Sequence, residues 1–98
     1  MRTRKVRPPL LLTDVELDLL QCVWAGKKVP AGKVQLQLVR QGKETAYTTV
    51  KTMLDRLVKV GVAGARVQNR RYVYYPKVLQ KDVANAWYRH LNQKIFGK

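Results

Sequence analysis

The strongest constraint on this chain is a change of period at Gly61. Before it, Val50, Met53, Leu54 and Leu57 recur at i, i+3, i+4 and i+7, the stripe of a helix buried along one side. After it the period drops to two. Val62 to Val67 and Arg71 to Tyr75 read as strands around Gln68-Asn69-Arg70, where Asn69 can take positive φ at small steric cost. Pro76 is expected to stop the pairing. The stretch from Ala46 to Pro76 is therefore a helix of about Ala46 to Val60, a glycine stop and a two-stranded hairpin, in that order.

Two helices are expected upstream. Thr13 followed three residues later by Glu16 is a capping box, and Leu12 stands five residues before Leu17, the spacing of a hydrophobic staple. A first helix follows from about Asp14 to Ala25, with Val15, Leu19, Leu20, Val23 and Trp24 expected inside, and Gly26-Lys27-Lys28 ends it. Pro30 suits the first turn of a second helix, where its missing N–H has no partner to lose, and Ala31 to Arg40 carries Val34 and Leu38 inward. A last amphipathic helix, about Gln80 to Lys94, sets Val83, Trp87 and Leu91 four apart, with Ala84 and Tyr88 beside them.

The charge points to a polyanion. Twenty Lys and Arg against 6 Asp and Glu leave +14 on 98 residues, enough chain for one domain with one core. Nucleic acid is the first candidate and an anionic membrane surface the second, but no apolar run approaches the roughly 20 residues of a spanning helix and no signal peptide opens the chain, so a cytoplasmic, nucleoid-associated protein is expected. The single cysteine, Cys22, allows no internal disulfide and no cysteine-paired zinc site, and reads as a buried thiol. His90 stands alone with no carboxylate or cysteine at ligand spacing, and there is no glycine-rich phosphate loop, nucleophile triad or paired acid set. No enzyme, cofactor, metal or small-molecule ligand is expected. Asp14, Glu16 and Asp18 fit the positive N-terminal end of a helix.

Three helices followed by a basic hairpin is the order of a winged helix-turn-helix, so the fold class expected is mainly α with a small β-hairpin, plus the C-terminal amphipathic helix. Residues 1–11 read as a flexible basic arm, 12–78 as the winged domain, and 79–98 as a helix available for dimerisation through Val83, Trp87 and Leu91. On the third helix Tyr47, Thr48, Thr49, Lys51, Thr52 and Arg56 present short hydroxyls and cations suited to base edges in a major groove. Thr52 and Lys51 are expected to read bases. Asp55 is discordant there, and is expected to pair with Arg56 or Lys59 or to accept from a cytosine amino group. In the wing, Arg66, Gln68, Asn69, Arg70 and Arg71 suit phosphate or minor groove, and Arg2, Arg4, Lys5 and Arg7 of the arm either enter a minor groove or add non-specific attraction. Tyr72 and Tyr74 are expected to pack under the wing with their hydroxyls at the surface, the alternative being a stack on unpaired bases.

Leu12-Thr13 with Glu16 and Trp24, AYTTVKTMLDRL at 46 to 57, Gly61, and RRYVYYP at 70 to 76 resemble the BlaI/MecI/CopY, or penicillinase repressor, group of bacterial winged-helix regulators, over roughly Leu12 to Gly97. The resemblance implies a recognition helix from Tyr47 to Arg56, a wing tip from Gln68 to Arg71, and a homodimeric repressor on double-stranded DNA of dyad symmetry. Lys27-Lys28 stands where the group has Gly-Pro, Pro30 where it has a Thr cap, and the group continues past Phe96-Gly97 into further dimerisation helices. Two other readings stand beside it: an architectural or RNA-associated protein that binds backbone, motivated by the +14 charge and the arm, and an interaction module such as an antirepressor, which that charge favours least.

Overall fold

The computed structural model describes residues 11–97. The elements run α1 (Asp14–Gly26), α2 (Ala31–Arg40), α3 (Tyr47–Val60), β1 (Ala63–Gln68), β2 (Arg71–Pro76) and α4 (Gln80–Phe96), a mainly α winged helix with one antiparallel hairpin. The basic arm of Arg2, Arg4, Lys5 and Arg7 lies outside the described residues.

Local signals set the helix ends. Glu16 N–H donates to Thr13 Oγ1 at 3.3 Å while Thr13 N–H donates to Glu16 Oε1 at 2.9 Å, the reciprocal capping box that starts α1. Leu12 is 1% exposed and Leu17 packs against the same core. At the end of α3, Gly61 takes φ 93°, Gly61 N–H donates to Val58 O and Val62 N–H to Leu57 O, both at 3.1 Å. That is a Schellman motif, and the two residues it joins, Leu57 and Val62, are fully buried. Val62 is thus part of the helix stop, which moves β1 one residue later than the alternation suggests.

The core gathers Leu19, Leu20 and Val23 from α1, Val34 and Leu38 from α2, Val50, Leu54 and Leu57 from α3, and Tyr74 from the wing. Cys22 is buried among them, and burial raises its thiol above the ordinary range, with Asp18 adding to the effect. Val15 departs from the expected stripe: it is 51% exposed, while Leu12 and the capping Glu16 are buried. Trp24 is half-buried, its indole N–H donating to Val78 O at 3.0 Å and tying the segment before α4 to α1. Pro30 is the N-cap of α2 and supplies no side-chain cap.

The hairpin turns on two residues, not three. Gln68 pairs with Arg71, and both Asn69 (φ 55°) and Arg70 (φ 67°) sit in the left-handed region, as a type I′ turn requires. The strand ends at Pro76 as expected, paired with Ala63 in the last step of the ladder, and one backbone bond follows it, from Lys77 N–H to Val62 O at 3.0 Å. Gly64 lies opposite Tyr75, and a Cβ on it would fall within the Tyr75 ring. A third segment also joins the wing: Val29, between α1 and α2, exchanges two backbone hydrogen bonds with Tyr74 at 2.7 and 2.9 Å. That bridge fixes β2 against the helical body.

Candidate nucleic-acid interface

The outer side of α3 carries Thr48, Thr49, Thr52 and Arg56, all exposed, with Tyr47 half out at the first turn. The inner side is spent on Val50, Leu54 and Leu57, all with no exposed area. So the hydroxyls and the guanidinium project on one face because the 3.6-residue period buries the other. In the wing Arg66, Gln68, Asn69, Arg70 and Arg71 are exposed, and the positive-φ turn thrusts Arg70 from the tip.

Asp55 does not pair with Arg56 or Lys59. Its carboxylate takes the Lys51 ammonium, one turn earlier, at 3.1 and 3.4 Å, and accepts from the Tyr74 hydroxyl at 2.8 Å. The i,i+4 spacing of Lys51 and Asp55 is legible in sequence; the Tyr74 contact is not, since it depends on how the wing folds back. Tyr74 is 1% exposed, so its hydroxyl is not at the surface, whereas Tyr72 is 53% exposed. Lys51 Nζ also stands 5.4 Å from the Tyr72 ring centroid and 5.8 Å from that of Tyr74, within cation–π reach of both. These contacts tie α3 to the wing. The Tyr74 hydroxyl first, and the Asp55 carboxylate second, hold the Lys51 ammonium above the usual lysine range, and burial pushes the Tyr74 phenol up.

Two concave features flank α3. One, of about 520 Å³, is walled by Thr52, Asp55, Arg56, Val58 and Lys59 along the helix itself. The other, of about 400 Å³, opens between the start of α2 at Pro30–Gly32, Tyr47 and Lys51 of α3, and Arg71, Tyr72 and Tyr74 of β2. Tyr47, Lys51 and Arg71, expected as separate helix and wing contacts, are thus brought to one cleft.

The C-terminal residues divide. Val83 is turned inward at 3% exposure, Trp87 is half-buried with its ring edge-on to His90 at 5.8 Å, and Leu91 is 47% exposed. Among the described residues no group of His, Cys, Asp and Glu could hold a metal ion, and no helix is long and apolar enough to cross a membrane.

The sequence matches the family model described as penicillinase repressor over residues 12–98. It is 20% identical to the methicillin resistance regulatory protein MecI of Staphylococcus aureus strain N315 over 85 residues, 87% of this chain and 68% of that protein. The MecI of Staphylococcus epidermidis gives the same figures of 20%, 87% and 68%. The penicillinase repressor of Bacillus licheniformis is 27% identical over 71 residues, covering 72% of this chain and 55% of the repressor.

Proposed function

The chain belongs to the penicillinase repressor family, and we propose that it is a repressor that binds a dyad-symmetric operator as a dimer, with α3 in the major groove and the wing on backbone or minor groove. The observation that carries this reading is the outer face of α3, where Thr48, Thr49, Thr52 and Arg56 are exposed together beside a wing whose tip is Asn69 and Arg70. The threonine hydroxyls can donate to or accept from base edges, the guanidinium donates, and the threonine methyls suit thymine. Arg2, Arg4, Lys5 and Arg7 either enter a minor groove or add non-specific attraction to the duplex, and association with the nucleoid follows.

Dimerisation rests on α4. Of its 17 residues only Val83 is buried, while Tyr88, Leu91, Ile95 and Phe96 are exposed and the indole N–H of Trp87 is buried without a partner among the described residues. A helix draws most of its stability from packing an apolar face, so a second copy is the fitting cover.

Selection from a random duplex library at about 0.15 M salt tests the reading, because screening at that strength trims purely electrostatic binding. A dyad-symmetric motif with half-sites roughly 10 base pairs apart is expected. Thr52→Ala should then relax preference at one base position by about 1–3 kcal/mol, leaving other positions unchanged. Tight binding with no enriched motif would instead favour the architectural reading, which the +14 charge supports. Binding to no nucleic acid would return the antirepressor reading.

A further inference from the structure

We infer that the cleft between the start of α2, the first turns of α3 and strand β2 is a preformed seat for one backbone phosphate of the duplex, with Lys51 and Arg71 as its cations and Asp55 and Tyr74 as residues that aim Lys51 into it. This rests on the DNA-binding reading and changes the part Lys51 plays in it: a backbone anchor, not a base reader.

The cleft, of about 400 Å³, is a cavity of suitable scale for a phosphate group, and no acid lies among its lining residues. Arg71 makes no ion pair among the described residues and is exposed at the mouth. Lys51 is held from three sides: the Asp55 carboxylate at 3.1 Å, the Tyr72 ring at 5.4 Å and the Tyr74 ring at 5.8 Å. Lys51 itself lines the cleft, so the ammonium that Asp55 and Tyr74 hold in place carries its charge there. Asp55 is in turn fixed by the Tyr74 hydroxyl at 2.8 Å, and Tyr74 by its two backbone bonds to Val29. The chain Val29, Tyr74, Asp55, Lys51 therefore gives a long, flexible side chain one direction before DNA arrives, which lowers the ordering entropy of making the contact.

The test turns on a sign. Removing an acid from a DNA-binding face should tighten binding by simple electrostatics; if Asp55 aims Lys51, Asp55→Asn should weaken it. The full chain is titrated with duplex DNA across a salt series, wild type against Lys51→Ala, Arg71→Ala, Asp55→Asn and Tyr74→Phe, with thermal denaturation to verify folding of each. Lys51→Ala and Arg71→Ala should each lower the slope of log affinity against log salt by about 0.9, a loss of roughly fivefold at 0.15 M salt, on all sequences alike. Asp55→Asn and Tyr74→Phe should weaken binding in the wild-type protein and have no further effect once Lys51 is alanine, a coupling that a merely structural loss would not produce. An unchanged slope in Lys51→Ala, or tighter binding by Asp55→Asn, overturns the seat while leaving the repressor reading standing. Failure of the wild-type chain to bind duplex at all overturns both.

Discussion

Arg70 holds φ at 67° in a turn whose second central position favours glycine, since an L side chain there crowds the following carbonyl by roughly 1 kcal/mol. On the DNA-binding reading proposed above, a cation kept in a strained position at the tip of the wing serves binding at a cost to folding. Arg70→Gly should accordingly raise stability by about 0.5 kcal/mol, read as a thermal midpoint a few degrees higher, while weakening affinity for every duplex alike. A lower midpoint would show that the turn carries no strain to release. At this scale the sequence is legible where a residue type has one conformational reason to be present. Asn69 is such a residue and was expected at positive φ. Arg70 is not, because arginine has no preference for that region, and only the two-residue register of the hairpin forces it there. Val15 keeps the helical spacing of the core stripe yet is 51% exposed, because spacing alone does not tell which member of a stripe stands at its edge.

Elements are legible where their ends are fixed locally. The capping box spans four residues and the Schellman motif six, so Thr13, Glu16 and Gly61 could be read directly. The joints between elements could not, because the partners meet only after folding: Val29 with Tyr74, and Tyr74 with Asp55. These joints carry a pH dependence. Lys51, Tyr74 and Cys22 all bind their protons more tightly in the folded chain than as free side chains. For each group the stabilisation is complete below its ordinary pKa, about 8.5 for cysteine and 10 or slightly above for the other two, and is lost as pH rises past it. Urea midpoints should hold up to about pH 8 and fall progressively from about pH 9 to 12. Tyr74→Phe should lower stability at neutral pH by about 1 kcal/mol through the lost Asp55 hydrogen bond, and flatten the alkaline fall. An equal fall in the variant would mean that Tyr74 is not a source of the pH dependence.

For the molecule as a whole, the winged body and α4 differ in how completely they are packed. The body buries residues from three helices and the wing in one cluster, whereas α4 contributes Val83 alone to the buried set and leaves Leu91, Ile95 and Phe96 at 47%, 67% and 67% exposure. The four-residue spacing of Val83, Trp87 and Leu91 marked one helix face in sequence but could not say where along it the chain's own packing ends. The exposures put that boundary between Val83 and Leu91, and the two residues should therefore respond differently to mutation. Val83→Ala opens a cavity within a single chain and should lower stability by about 2 kcal/mol with no change of mass. Leu91→Asp places a charge on a surface already in water, so the isolated fold should survive, while burying that charge between two copies is strongly unfavourable. Sedimentation across a concentration series should then find Leu91→Asp monomeric where the wild type is dimeric, with affinity for a two-half-site operator falling toward that of a single half-site. If both proteins sediment alike and bind alike, the pairing of half-sites does not pass through this face of α4.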